Sequence, residues 1–145
     1  MRRGFTIVEL IVGFGVIAIL IGTGMSISQQ AQRRQAVIQA AEGLSTTMKI
    51  ARENALAGKK DTIACAAPLD GWQVRVQSNG YVLEGVCGGT KFFDKTTTYA
   101  MGITNSPTPT VLFNPLALGA TAATITVSGS GTTQTVTVSG SGEVQ

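Results

Sequence analysis

The hydrophobic positions of the first sixty residues predict one long helix made of two different halves. Residues 5–27 form an apolar run that contains one charged residue, Glu9. From residue 28 the sequence turns polar, yet small and apolar residues recur at steps of three and four, as on one face of a helix. These positions are Val37, Ala41, Leu44, Met48, Ala51 and Ala55. The pattern predicts a helix over residues 5–56 whose second half packs against a sheet, with a coiled coil as the alternative.

The end of this helix and the strands after it are marked by turn residues. Gly58, followed by two lysines, is typical of a helix C-terminus. Beyond it, Thr62–Ala66 is a first candidate strand, and residues 72–77 alternate between apolar and polar positions. Ser78-Asn79-Gly80 predicts a turn into a second strand over 81–87, which makes a hairpin.

The remaining third of the chain carries weaker signals. Residues 88–110 are rich in Gly, Thr and Pro and predict a loop with one or two short strands. Val111–Phe113 predicts a strand that ends at Asn114-Pro115. The motif TVSGSG occurs at Thr126–Gly131 and again at Thr137–Gly142, each time closing a run of Thr, Val and Ile. This repeat predicts a closing hairpin, with a flexible Ser-Gly linker as the alternative.

The apolar run has the length of a membrane span. At helical rise, residues 5–27 cover roughly 34 Å, close to the ~30 Å hydrocarbon thickness of a bilayer. Arg2 and Arg3 precede the run and would hold the N-terminus on the cytoplasmic side. A secretory signal peptide is a poor alternative, because Gly24-Met25-Ser26 is a poor A-x-A cleavage site and the polar helix pattern continues straight through it. An ordinary single-span anchor is the second alternative.

The residues at the start of the run form a recognisable motif. The arrangement Gly4-Phe5-Thr6-x-x-Glu9 resembles the class III leader of type IV pilins and type II secretion pseudopilins. The resemblance implies that prepilin peptidase cuts between Gly4 and Phe5 and that Phe5 is then N-methylated. It also implies that Glu9 acts in assembly, by pairing with the amine of a neighbouring subunit's first residue. A local role stays open, because Thr6 and Glu9 have the spacing of a capping box.

Scattered positions further along the chain resemble one branch of this superfamily. They are Ala51–Ala55 (ARENA), Cys65, Gly71-Trp72, Leu112–Pro115 and the last VSGSG. The branch comprises the H-type pseudopilins and the FimT-like minor pilins. Some FimT-like members end in a basic Gly-Arg segment associated with DNA binding. Here Glu143 follows Gly142, which argues against DNA as a partner.

The resemblance and the pattern together predict an α+β, pilin-like fold. A long N-terminal helix, membrane-spanning in its first half and amphipathic in its second, packs on an antiparallel β domain. The predicted segments are a leader over 1–4, a transmembrane half over 5–27, an amphipathic half over 28–60 and a β-rich domain over 61–145.

Charge and residue types exclude several kinds of site. The net charge is +3, but residues 61–145 carry three basic against five acidic residues, so the domain lacks a basic surface for duplex DNA. The chain has no histidine, and its cysteines lack the spacing of a zinc or redox motif. We therefore predict no enzyme activity, metal or cofactor. In an exported domain, Cys65 and Cys87 predict a disulfide, with two buried free thiols as the alternative.

These features predict a structural, minor subunit of a type II secretion pseudopilus, which supports protein export. Its partners would be other pseudopilins, prepilin peptidase and the bacterial inner membrane. The domain after the single span would lie in the periplasm, and the subunit would later join the filament. A minor or major pilin of a type IV pilus is the first alternative, and a membrane-anchored binding module outside any filament is the second.

Overall fold

A computed structural model of the chain describes residues 7–145, and it describes all their side chains except those of residues 19–28 and 117. This part of the chain has an α+β fold with antiparallel sheets. It divides into a helical unit that ends at residue 33 and a compact unit over residues 34–145. The elements are α1 (Ile7–Leu56), β1 (Leu69–Gln77), β2 (Gly80–Cys87), β3 (Thr90–Thr98), β4 (Thr104–Ser106), β5 (Thr110–Phe113), a 3-10 turn (Pro115–Ala117), β6 (Ala123–Gly129) and β7 (Thr132–Val138).

The second half of α1 forms one wall of the core of the compact unit. Every position of the predicted stripe from Val37 to Ala55 is at most 7% exposed. These residues pack with apolar side chains from both sheets, among them Val74, Phe113 and Ile125. The stripe therefore packs against sheets within this chain, and the coiled-coil alternative is wrong for it.

The helix ends as the sequence predicts. After Leu56, Gly58 has a φ of 59°, the left-handed conformation in which glycine commonly ends helices. Its N–H donates to the carbonyl of Ala55 at 3.1 Å, and the N–H of Lys59 donates to the carbonyl of Asn54 at 2.9 Å. These two hydrogen bonds form a Schellman motif, which satisfies carbonyls that the helix itself leaves free.

Two antiparallel sheets complete the compact unit. The four-stranded sheet has the order β3-β2-β1-β5, and the three-stranded sheet has the order β4-β6-β7. Trp72, Val74 and Val76 of β1 are buried on the face that belongs to the core. Asn105 of β4 joins the sheets, because its side-chain amide donates to the carbonyls of Gln77 and Gly80 at 2.9 and 3.0 Å.

One predicted strand is absent, and one stretch contains a longer strand than predicted. Thr62–Ala66 is not a strand, because residues 62–64 form a turn in which the carboxylate of Asp61 accepts the N–H groups of Ile63 and Ala64. The stretch predicted as mostly loop contains β3, a nine-residue strand. Most side chains of β3 are exposed, so a hydrophobic alternation is absent from it. The predicted hairpins β1–β2 and β6–β7 are both present.

The helical unit differs from the compact unit in what its apolar side chains meet. The large apolar residues from Ile7 to Ile17 are between 52% and 80% exposed. In the described part of the chain, no helical segment is both long and apolar enough to cross a membrane. The predicted span over 5–27 includes residues 5 and 6 and the side chains of 19–27, which lie outside the described part. That span stays a prediction.

Candidate functional site

The predicted assembly site lies at the start of the chain. Gly4 and Phe5, the predicted cleavage and methylation residues, lie outside the described residues. Glu9 lies in the first described turn of α1. Its apolar neighbours Val8 and Leu10 are 70% and 52% exposed. The carboxylate is therefore carried on a strongly apolar helix surface.

The cysteine pair forms a disulfide in the structure. Cys65 and Cys87 are joined with a Cα–Cα distance of 6.0 Å, within the range that disulfides span. Both residues are buried. The bond ties the segment after α1 to the last residue of β2. It closes a loop over residues 65–87 that contains the whole β1–β2 hairpin.

A carboxylate that the sequence analysis did not single out lies on the other face of the four-stranded sheet. The side chain of Glu84 on β2 is 1% exposed. It accepts hydrogen bonds from Gln73 at 2.6 Å, from Arg75 at 2.9 Å and from Lys91 at 2.6 Å. Gln73 and Arg75 lie on the neighbouring strand β1, where Gln73 is directly opposite Glu84, and Lys91 lies on β3. The cluster therefore spans three strands.

The environment of Glu84 favours its charged form. Burial alone would raise the pKa of the carboxyl group. The hydrogen bonds from Lys91, Gln73 and Arg75 outweigh that cost, so the pKa of Glu84 lies below its usual value. The sequence signal for this cluster was the lone glutamate within the apolar strand sequence YVLEGV. A carboxylate buried in such a strand needs partners on neighbouring strands.

A groove of about 780 Å³ runs between α1 and the outer part of the four-stranded sheet, and we call it the β3 groove. Its helix wall comes from a second stripe of α1, beside the buried one: Gly43, Thr46, Thr47, Ile50 and Asn54. Its sheet wall is formed mainly by aromatic and apolar residues: Trp72, Tyr81, Leu83, Phe92 and Phe93. At Gly43 a Cβ would lie only 3.2 Å from the hydroxyl of Tyr81, so a small residue lets the ring approach the helix.

The aromatic side chains of the groove are held in fixed positions. The indole N–H of Trp72 donates to the carbonyl of Lys59 at 2.8 Å. Its ring meets those of Phe92 and Phe93 at centroid distances of 5.5 and 5.3 Å, in edge and tilted arrangements. A Cβ at residue 85 would overlap the ring of Phe92, so Gly85 makes room for it. Phe93 remains 41% exposed at the groove surface.

Lysines surround this apolar surface. Lys59, Lys60 and Lys95 line the β3 groove together with a single acidic residue, Asp61. The carboxylate of Asp61 caps the turn after it, and Lys60 donates to the carbonyl of Ala67 at 3.1 Å. Among the described residues, the ammonium groups of Lys59 and Lys95 take part in no ion pair or hydrogen bond. The groove is therefore apolar in its walls and positive at its margins.

The arrangement offers binding surfaces and no cluster of metal ligands. No three cysteine, aspartate or glutamate side chains of the described residues come together in a way that could hold a metal ion. These surfaces can bind a partner through apolar contacts, charge and backbone hydrogen bonds.

The comparisons with known proteins assign the compact unit. A family model described as "Type II transport protein GspH" matches residues 40–142. No curated protein and no solved structure matches the chain. The matched region contains the buried stripe of α1 from Ala41 onwards, both sheets, the disulfide and the β3 groove. Since the match covers most of the chain, the protein belongs to the GspH family of type II transport proteins.

Proposed function

We propose that this protein is a structural subunit of a type II secretion pseudopilus, which polymerises through its N-terminal helix to support protein export. The observation that carries the proposal is the match of residues 40–142 to the GspH family. The leader-like motif from Gly4 to Glu9 supports it, because that motif is the mark of subunits that join such filaments. We propose a minor subunit that acts by assembly rather than catalysis and that uses no cofactor.

The same proposal assigns a place to each segment. Residues 1–4 are a leader that prepilin peptidase removes, and Phe5 becomes the methylated first residue. Residues 5–27 lie in the inner membrane, residues 28–60 continue the helix, and residues 61–145 form the periplasmic domain. The exposed apolar side chains from Ile7 to Ile17 support this placement. Burying each such side chain stabilises by about 1.5–3 kcal/mol, so this surface favours hydrocarbon or a neighbouring helix over water.

Glu9 is proposed to guide assembly. A carboxylate within hydrocarbon costs about 2.5–3.5 kcal/mol on insertion scales, so a cationic partner in the same layer would be favoured. Cleavage before Phe5 would create an amine at that depth. Pairing between the Glu9 carboxylate of one subunit and the amine of the next neutralises both charges. Pairing also sets the axial register of the incoming helix, as a buried polar group does in a coiled coil.

The test uses filaments sheared from cells that carry single variants. We expect Glu9→Gln and Glu9→Ala to be inserted and processed normally, but to be depleted about tenfold or more in the filament fraction, because an unpaired charge in a helical bundle costs several kcal/mol. Glu42→Gln removes an exposed carboxylate further along the same helix and serves as the matched control. A capping role alone predicts otherwise, since glutamine also serves in a capping box. Normal incorporation of Glu9→Gln would therefore defeat the pairing mechanism.

Two further measurements test the assignment itself. Intact-mass analysis of the protein from its native host should give a chain that begins at a methylated Phe5. A mature protein that still begins at Met1 in cells with active prepilin peptidase would contradict the proposed processing. Deletion of the subunit should reduce export of secreted proteins. If deletion left export unchanged and removed surface pili, the subunit would belong to a type IV pilus instead.

A further inference from the structure

One edge of the four-stranded sheet differs from the other sheet edges of the molecule. The outer edge of β5 is covered, because Thr121 donates its N–H to the carbonyl of Leu112 at 2.9 Å. The edge of β7 is also covered, because Thr137 exchanges two backbone hydrogen bonds with Gln145, each at 2.9 Å. The short strand β4 donates a backbone hydrogen bond from Asn105 to the first hairpin. Each of these edges is at least partly closed by the chain itself.

Strand β3 has no such cover. Among the described residues, its backbone pairs with β2 and with no other element. It is nine residues long, whereas β4 and β5 have three and four. An uncovered strand of this length presents a row of free N–H and C=O groups, which is the template used in recognition by strand addition.

The regular part of β3 is its second half. A bulge interrupts the pairing with β2 between Gly85 and Val86, opposite Phe92. From Phe93 to Thr98 the register with β2 is unbroken. The bulge and the charged residues of β3 hinder indiscriminate pairing, as they do on many protected edges. The segment available to a specific partner is therefore residues 93–98.

The β3 groove lies against the inner face of the same segment. Phe93, Lys95 and Thr97 alternate along β3 and all line the groove, with Thr46 and Ile50 of α1 on the opposite wall. Successive side chains of a strand point to opposite faces. A strand added beside β3 would thus direct every second side chain towards the space between β3 and α1, which the groove leaves open.

The charged residues around the β3 groove indicate which side chains a binding partner carries. Lys59 and Lys95 flank the groove without an ion pair in the described part of the chain, and Asp61 is engaged in its turn. An acidic residue on the partner would complement these lysines. Ile50 and Phe93, both about 40% exposed, favour aliphatic side chains between the acidic positions.

We propose that β3 and the β3 groove bind an extended segment of another polypeptide by strand addition. The segment carries aliphatic side chains at alternate positions and an acidic residue next to Lys59 or Lys95. Its backbone pairs with residues 93–98, and its aliphatic side chains enter the groove. This site lies within the compact unit, so it does not depend on the proposed filament function.

The probe is the acetylated and amidated peptide Glu-Val-Thr-Leu-Thr-Val-Thr-Glu, titrated into the full chain in detergent micelles. We expect saturable changes in amide chemical shift concentrated at residues 93–98 and around Phe93 and Ile50. Two further peptides are N-methylated at alternate amides, one at the odd and one at the even positions. Only one of the two should lose binding, because an added strand turns alternate amides towards β3.

The variant Lys95→Glu should weaken binding of the peptide about tenfold, since it replaces an attraction by a repulsion. Lys49→Glu makes the same charge change at an exposed helix position outside the groove and should leave the affinity unchanged. Unfolding midpoints of both variants show that the fold is kept.

Several outcomes would overturn the proposal. No shift at residues 93–98 would mean that the edge is merely protected. Equal binding of both N-methylated peptides would mean that the groove binds side chains without strand addition. Equal binding of a peptide with lysine in place of glutamate would remove the charge argument. Concentration-dependent self-association that Lys95→Glu abolishes would make a second copy of this chain the occupant.

Discussion

The two halves of α1 place apolar side chains in opposite surroundings. Large apolar residues from Ile7 to Ile17 are more than half exposed, whereas the stripe from Val37 to Ala55 is at most 7% exposed. The first set covers the helix on all sides, and the second forms a narrow, alanine-rich line on one face. A helix that is apolar all round needs an apolar environment, whereas a striped helix needs only one sheet. The compact unit supplies two sheets from the same chain, and both contribute to the core around the stripe.

The largest expected effect on stability comes from substituting one apolar residue in each half of α1 by alanine. Leu44→Ala removes a fully buried side chain and should lower the free energy of unfolding of the compact unit by about 2–5 kcal/mol. Ile11→Ala removes a residue that is 64% exposed and lies outside that unit, so it should leave the same quantity unchanged. Denaturant titration of the full chain in detergent, followed by the fluorescence of Trp72, measures both.

Trp72 is a suitable reporter because it is the one tryptophan of the sequence and is buried in the compact unit. Equal losses of stability in Leu44→Ala and Ile11→Ala would contradict the distinction between the two halves. It would mean that the first half contributes directly to the folding of the compact unit.

The second prediction concerns a constraint that only the compact unit contains. The disulfide between Cys65 and Cys87 spans a sequence separation of 22, and its loss should reduce stability by about 3 kcal/mol in the chain-entropy description. The double variant Cys65→Ala, Cys87→Ala gives this value by denaturant titration. Thiol labelling of unfolded, unreduced protein from the native host should leave both residues unmodified. Stoichiometric labelling of the pair would show that the bond is absent in the cell.

The smallest effect concerns the buried carboxylate of the sheet. Because the pKa of Glu84 is lowered on folding, the unfolded state binds more protons between the folded and the unfolded pKa. The contribution of Glu84 to the free energy of unfolding is therefore fully present above the pKa of the unfolded state. It is lost as the pH falls through the pKa of the folded state. Glu84→Gln should cost about 1 kcal/mol at pH 7, a modest value because Arg75 and Lys91 are about half exposed.

Unfolding titrations of both proteins at a series of pH values check this prediction. The difference in stability between the wild type and Glu84→Gln should shrink towards acidic pH. Glu53→Gln changes the charge by the same amount at an exposed position of α1 and is the matched control. A difference that stays constant with pH, or one that Glu53→Gln reproduces, would contradict the assigned role of Glu84.

The elements with strong periodicity were predictable from the sequence, and those without it were not. The stripe of α1, the end of the helix at Gly58 and the hairpins β1–β2 and β6–β7 follow from local patterns and turn residues. Strand β3 was underestimated because an edge strand with two largely exposed faces carries no alternation of apolar residues. Its place in the sheet depends on pairing with β2, which local sequence does not encode.

The candidate sites divide in the same way. The leader-like motif and Glu9 are contiguous in sequence, so a motif was sufficient to propose them, and their roles stay predictions. The Glu84 cluster and the β3 groove combine residues from separate strands and from α1, and no spacing along the chain connects them. Only the register between β1, β2 and β3 brings Arg75 and Lys91 to Glu84.

The sequence by itself determined the α+β class, the long helix, its apolar stripe and the two hairpins, because each is marked by a periodicity or by turn residues close together in the chain. It also marked the cysteine pair. Tertiary structure alone decided that β3 is an edge with no further strand beside it in the described part of the chain and that a second stripe of α1 faces aromatic residues across a groove. It also decided that this groove is flanked by lysines without an ion pair among the described residues. These features arise from contacts between distant segments. Their free energy depends on which surfaces the fold brings together, and the order of residues along the chain does not show this directly.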